Sequence, residues 1–362
     1  MNFNRAHSIH FVYVKLTWYI PILLLIFACQ KEEQEEKPNF QLSNGLLVLN
    51  EGLFQHNNSS ISWIDLESNE VVEDIHFQIN ESFLGDTGND MKRYGGKVYI
   101  AVTTSSTVEV YDAQTFENIR RISMHFNGVA QQPRNIDFYN GKVYITSFDG
   151  YVNVLDTLTY AITERIPVGL NPDHLVIANN ELFVSNSGGL NSPTMDSTVF
   201  RINLDNSELI DSYVVGKNPG AIVHVEGNGI YVVKRGDYIN DDSELVYINL
   251  NNNSVENLGL SASFIVQDNN DLLIVDVNGT TQQAQVHRFN TNLNQIEQED
   301  ILEITNNVQT LYGIYPFSDG TYAVLDAMGY TNQGYVRFFD EQGVYIESIQ
   351  VGLNPSKLLY YE

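Results

Sequence analysis

The chain has 362 residues, 43% of them hydrophobic, with 21 Tyr and 18 Phe, which is enough apolar material for two ordinary domains or one large β domain. Its 19 basic and 45 acidic residues give a net charge of −26, a field that repels phosphate backbones and argues against a nucleic-acid partner. Only one cysteine, Cys29, is present, so no internal disulfide can form and packing alone must hold the fold.

Residues 1–28 place Arg5 and Lys15 ahead of the apolar run WYIPILLLIFA, the pattern of a signal peptide. The run is short for a transmembrane helix and is followed at once by QKEEQEEKP. Its end, IFAC, resembles a bacterial lipobox, which implies lipidation of Cys29 as the first residue of the mature protein; the alternative is an ordinary secretory peptide with an incidental cysteine. Residues 29–43 are then the lipidated cysteine and an acidic tether. QKEEQEE resembles the Lys-plus-acidic tag of Bacteroidota lipoproteins destined for the outer face of the outer membrane, the alternative being a merely solvated spacer. Removing residues 1–28 takes away two basic residues and no acid, which moves the net charge from −26 to −28.

From residue 44 to 362 the chain alternates short β-branched and aromatic runs with Asn, Asp and Gly, the signature of an all-β protein. VGLNP stands at 168–172 and 351–355, with VGKNP at 215–219. Gly169, Gly216 and Gly352 are expected at positive φ, the Asn in a side-chain turn, and the Pro at a strand start. A repeating unit is the consequence. Seven strands end in Asp or Asn, at Asp65, Asp112, Asp156, Asn203, Asn249, Asn290 and Asp340, spaced by 47, 44, 47, 46, 41 and 50 residues. That is the size of a four-stranded propeller blade, and the Asp or Asn is expected to cap the turn that follows it. GLLVLNEG near residue 45 is a second strand with no first strand before it, whereas PSKLLYYE at the C-terminus is a first strand with nothing after it. The expectation is a seven-bladed β-propeller closed by the C-terminal inner strand pairing with the N-terminal blade.

IPVGLNPDHLVIANNELFVSN and KVYITSFDGYVNVLDTLTYAITERIPVG resemble the YVTN-type β-propeller repeat, strongly around residues 90–220 and weakly around 255–310. With the anchor and the tag, the chain is similar to the surface propeller lipoproteins of Bacteroidota, among which are cobalamin-capturing members that serve a TonB-dependent transporter. The resemblance implies an outer-membrane, lipid-anchored protein facing outward. It implies a small-molecule nutrient, with a corrinoid such as cobalamin the first to try, and a TonB-dependent transporter as partner. A protein- or glycan-binding scaffold or adhesin is a second reading, and a calcium-dependent propeller hydrolase a third.

Loops joining the second to the third strand share a face with the blade-to-blade turns. They are short in two blades (TTSS and FDG) and long in five neighbouring ones, which predicts a crescent wall with a low side at blades two and three. Candidate ligand-binding residues on the loops are Phe54, His56, Phe148, Asn191, Arg235, Tyr238, Tyr330 and Gln333, with Arg134, Asp173, His174 and Tyr312 at the entrances of inner strands. Each taken singly is equally compatible with a solvated or locally packed residue. His56 and His174 are also the candidates for an axial ligand to a corrinoid cobalt, against the commoner role of a hydrogen-bonded histidine. No metal-ligand spacing, phosphate loop or nucleophile elbow occurs, so neither an enzyme, a cofactor nor a metal is expected. The acidic turns DNND at 268–271 and DYINDD at 237–242 lack the spacing of a calcium loop.

Overall fold

The computed structural model describes residues 40–239 and 241–362, so the signal segment, Cys29 and all but the end of the tether lie outside the described residues. Seven four-stranded antiparallel sheets follow one another around a ring. Blade one is made of the inner strand Pro355–Tyr361, then Gly45–Asn50, Ser60–Asp65 and the two-residue outer strand Val71–Val72. The chain's last strand therefore lies beside its first, in a register that runs from Gly45 opposite Tyr361 to Leu49 opposite Lys357. The inner strands of blades two to seven are Gly88–Tyr94, Pro133–Tyr139, Pro172–Ala178, Pro219–Val225, Phe264–Asp268 and Leu311–Pro316.

Second strands are covered on both sides, and this explains why they read as unbroken apolar runs. In Lys97–Val102 and Lys142–Ser147 every residue after the first is buried. Alternate side chains of one strand then serve two different cores. Val98 and Ile100 join Leu47 and Leu49 between blades one and two, whereas Tyr99 and Ala101 join Val143 and Ile145 between blades two and three. The same division produces one apolar cluster at each of the seven blade interfaces. The last of them brings Leu358 of the closing strand against Leu46, Val48 and Leu325. Each buried Val, Leu or Ile contributes ~1.5–3 kcal/mol, so the ring holds without a cross-link.

All seven Asp and Asn residues at third-strand ends accept hydrogen bonds from backbone N–H groups of their own turn. The Asp112 carboxylate receives Gln114 and Thr115, that of Asp156 receives Leu158 and Thr159, and Asn290 receives Asn292 and Leu293. Asp65, Asn203, Asn249 and Asp340 do the same. These turns form the face opposite the long loops. Leu42, near the start of the described chain, also lies there, its N–H donating to the Gln114 carbonyl.

The VGxNP turns differ from expectation in one respect. Of their glycines only Gly216 has a positive φ, +105°; Gly169 and Gly352 are required instead because a Cβ would stand 2.5 Å from Asn186 and 2.6 Å from Asn50. The positive φ falls on the asparagines, Asn171 (42°), Asn218 (56°) and Asn354 (56°), a region that Asn tolerates better than most side chains do.

Two insertions interrupt the repeat. A short helix, Ile75–Asn80, capped by the Asp74 side chain, leads from blade one to blade two. A hairpin, His125–Phe126 paired with Val129–Ala130, sits in the connection from blade two to blade three. The Arg165 guanidinium lies 4.3 Å from the Phe126 ring and 4.0 Å from the Tyr151 ring, fastening the hairpin to blade three. The side where the second-to-third loops are short thus carries a hairpin from a different connection. Among the described residues no helix is long and apolar enough to cross a membrane.

Candidate functional site: the mouth of the central channel

Five blade openings share a device that aims the loops. The residue just before the inner strand has positive φ, and its carbonyl accepts from the N–H of the first residue of that blade's second-to-third loop. The pairs are Asn354 with Glu51 (2.9 Å), Thr87 with Thr103 (2.8 Å), Gln132 with Phe148 (3.2 Å), Asn171 with Ser187 (3.2 Å) and Asn218 with Arg235 (3.1 Å). In the three VGxNP copies the Asn side chain adds a bond to the same loop. Asn354 Nδ2 donates to the Gly52 carbonyl at 2.8 Å, Asn218 Nδ2 to the Tyr238 hydroxyl at 3.0 Å, and Asn171 Oδ1 accepts from Asn191 Nδ2 at 2.9 Å. The loops therefore leave the ring at fixed angles, and Glu51, Phe148 and Arg235 are placed at the inner rim.

Below the rim runs a central channel of about 590 Å³, walled by inner strands, a volume ordinary for a small-molecule site. At its loop-side mouth Asp173 is the hub. It is almost fully buried and accepts from Arg134 Nε at 3.2 Å and from Arg235 Nη2, while His174 Nδ1 stands 3.5 Å away. Burial alone would push the Asp173 carboxyl up; Arg235, His174 and Arg134 together outweigh it and hold the group well below the usual carboxylate range. Burial lowers His174 despite the neighbouring carboxylate, so its imidazole is neutral at neutral pH. Arg235 reaches Asp173 because residue 220 is glycine: a Cβ there would stand 2.7 Å from Arg235 Nε. Arg134 lies 4.7 Å from the centre of the Phe148 ring.

Across the mouth the Tyr312 hydroxyl donates to Glu51, and the Tyr330 ring meets Tyr312 edge-on at 5.6 Å. Burial raises the Glu51 carboxyl, opposed by the Tyr312 bond and by the charges of Arg134 and Lys357. Both halves of the mouth thus share one electrostatic network.

Of the sequence candidates, Arg134, Phe148, Asp173, His174, Arg235, Tyr312 and Tyr330 come together here, and Tyr238 joins through Asn218. Asn191 is tied to the turn through Asn171. Phe54, 67% exposed, and His56, held through its backbone N–H to the Leu53 carbonyl, stand out on the blade-one loop. Gln333 opens the third strand of blade seven opposite Leu353 and lines a separate groove with Asn58, Ser60 and Asn332. Glu51, Asn135 and Lys357 also belong to the mouth and channel and escaped the sequence reading. The second and third residues of the inner strands of blades one to four, polar at the head of the strand, are the signal that finds Asn135 and Lys357.

The acidic turns singled out for calcium are already neutralised by cations. Asp268 pairs with Arg288 at 2.8 Å, Asp237 with Lys217 at 2.9 Å and Asp241 with Lys234 at 3.0 Å. Among the described residues no group of three or more His, Cys, Asp or Glu is placed to share a metal ion.

The family described as "Domain of unknown function (DUF5074)" matches residues 44–350, the whole ring except its closing strand. The chain belongs to that family. No curated protein matches the sequence. Among solved structures, this DUF5074 chain is similar to a quinonprotein alcohol dehydrogenase-like protein from Bacteroides thetaiotaomicron VPI-5482, at 14% identity and a TM-score of 0.64 over 89% of this chain and 79% of the other. The computationally designed Ika8 protein gives 12% identity and 0.55 over 87% and 90%. Kuenenia stuttgartiensis hydrazine synthase gives 13% and 0.58 over 72% and 85%. At these identities the likeness is one of fold alone.

Proposed function

We propose that this DUF5074 propeller, of YVTN type, is a non-catalytic surface receptor. It captures a small-molecule nutrient at the loop-side mouth of its channel and hands it to an outer-membrane TonB-dependent transporter. The observation that carries the reading is the convergence of Glu51, Arg134, Asp173, Arg235 and Tyr312, from five different blades, on one partly apolar opening held in place by paired charges. Buried charge that already has partners costs little to reorganise on binding, and a rigid rim avoids the ordering cost that flexible loops would incur.

A corrinoid is the ligand to test first, because two exposed aromatics, Tyr238 and Tyr330, flank the opening, held there through Asn218 and Tyr312. Calorimetric titration of the detergent-solubilised protein with cobalamin and with cobinamide should give saturable one-to-one binding. Tyr238→Ala or Tyr330→Ala should weaken it by ~1–3 kcal/mol, the scale of an aromatic anchor. Absence of heat with both corrinoids removes this ligand, and binding unaffected by both tyrosine changes removes this face as the site.

A further inference from the structure

The channel beneath the mouth has two unlike walls. The charged lining, Lys357, Asp90, Lys92 and His174, comes from blades one to four, with Leu175 and Leu358 beside it, whereas blades five to seven supply mostly apolar side chains such as Ile222, Phe264 and Val266, with Gln267 and Tyr312 among them. On the polar wall the acceptors are largely spent and donors remain. Asp173 holds its two arginines, Asp90 Oδ2 accepts from the Ile136 N–H at 2.9 Å, and Glu51 accepts from Tyr312. Arg134 gives only its Nε to Asp173, Lys357 Nζ is ion-paired with Asp90 at 3.8 Å without a hydrogen bond to it, and Asn135 Nδ2 has no partner although Asn135 is only 5% exposed. A buried, unpaired donor is costly to leave unmade, and an acceptor on a ligand would recover that cost. Arginine with lysine suits a carboxylate, and the facing wall suits hydrocarbon.

We propose that the channel receives the carboxylate end of an amphipathic organic acid, its acid group against Arg134, Asn135 and Lys357 and its hydrocarbon flank against Ile222, Phe264 and Val266. This rests on the mouth being a ligand entrance and adds the chemistry of the part that enters. The overall charge of −26 makes a local donor surplus selective rather than general.

The test uses the full chain in detergent, with 4-phenylbutyrate, its uncharged counterpart 4-phenylbutyramide and inorganic phosphate as probes, followed by calorimetry and saturation-transfer NMR. The acid should bind with its ring protons most strongly saturated, the amide at least tenfold more weakly, and phosphate should neither bind nor compete. Lys357→Met, a change at a half-buried edge of the channel, and Arg134→Met should each weaken the acid at least tenfold in the same detergent, which also sets the background from micelle partitioning. Equal binding of acid and amide, no binding of the acid, competition by phosphate, or indifference to both substitutions overturns the proposal. Corrinoid binding without acid binding overturns this inference and leaves the receptor reading standing; failure of both ligands overturns both.

Discussion

The two faces of the ring use the same polar side chains for different ends. On the turn face, Asp65, Asp112 and Asp156 bond to N–H groups two and three residues ahead, so each closes its own turn and touches nothing else of consequence. On the loop face, Asn354 bonds to Gly52, 302 residues away in sequence, and Asn218 reaches across to Tyr238 in the following blade's loop. Asp173 goes further and collects arginines from both neighbouring blades. A local turn is replaceable because its loss frays one hairpin. A long-range tether is not, because it positions a loop relative to the channel.

The largest separation between the faces should come from Asp173→Ala. Removing the buried carboxylate leaves Arg134 and Arg235 without their shared partner, a loss of roughly 3–5 kcal/mol for a broken buried ion pair. Denaturant unfolding should show it, together with loss of ligand binding at the mouth. A variant of near-native stability would mean that solvent, not Asp173, balances the two arginines.

An intermediate effect is expected at Asn354, where backbone and side chain can be separated. Asn354→Gly keeps the left-handed φ and deletes the bond to Gly52, which should cost about 1 kcal/mol. Asn354→Ala should lose ~1–2 kcal/mol more than the glycine variant, because alanine has a Cβ that glycine lacks and not the polar side chain through which asparagine tolerates φ 56°. Equal losses from the two substitutions would place the whole effect in the side-chain bond.

The smallest effect belongs to the turn face. Asp112→Ala should cost under about 1 kcal/mol and leave ligand binding unchanged. Its signature is in pH. Backbone N–H bonds, led by that of Thr115, hold the Asp112 carboxyl below its ordinary value of 3.8, so the carboxylate is favoured in the folded state. Its contribution is fully present above the unfolded value and disappears as pH falls through the lower folded one. Thermal unfolding of wild type and Asp112→Ala should therefore differ by a constant amount from pH 7 down to about the ordinary value of 3.8 and draw together only below it; a gap that does not narrow below that pH would mean that the turn depends on the side chain's shape and not on its charge.

What was readable in the sequence is what repeats or acts locally. Seven Asp and Asn residues at spacings of 41 to 50 residues disclosed the blades, and the unpaired strand sequences at the two ends disclosed how blade one is completed. Side-chain caps two or three residues long are encoded by neighbours, so sequence suffices for them. The same reasoning named most of the mouth, because Arg134, Asp173, His174 and Tyr312 head their inner strands.

Only the tertiary structure decided which of these residues meet. Arg235 reaches Asp173 across 62 positions because Gly220 leaves room, and Tyr312 reaches Glu51 across 261 because the ring returns to its start. The hairpin at 125–130, on the side where the second-to-third loops are short, comes from a different connection and is held by Arg165 against Phe126, which loop lengths alone did not disclose. Periodicity in a sequence reports what one blade needs to fold. The channel belongs to all seven blades at once, and its chemistry depends on the few positions at which they differ.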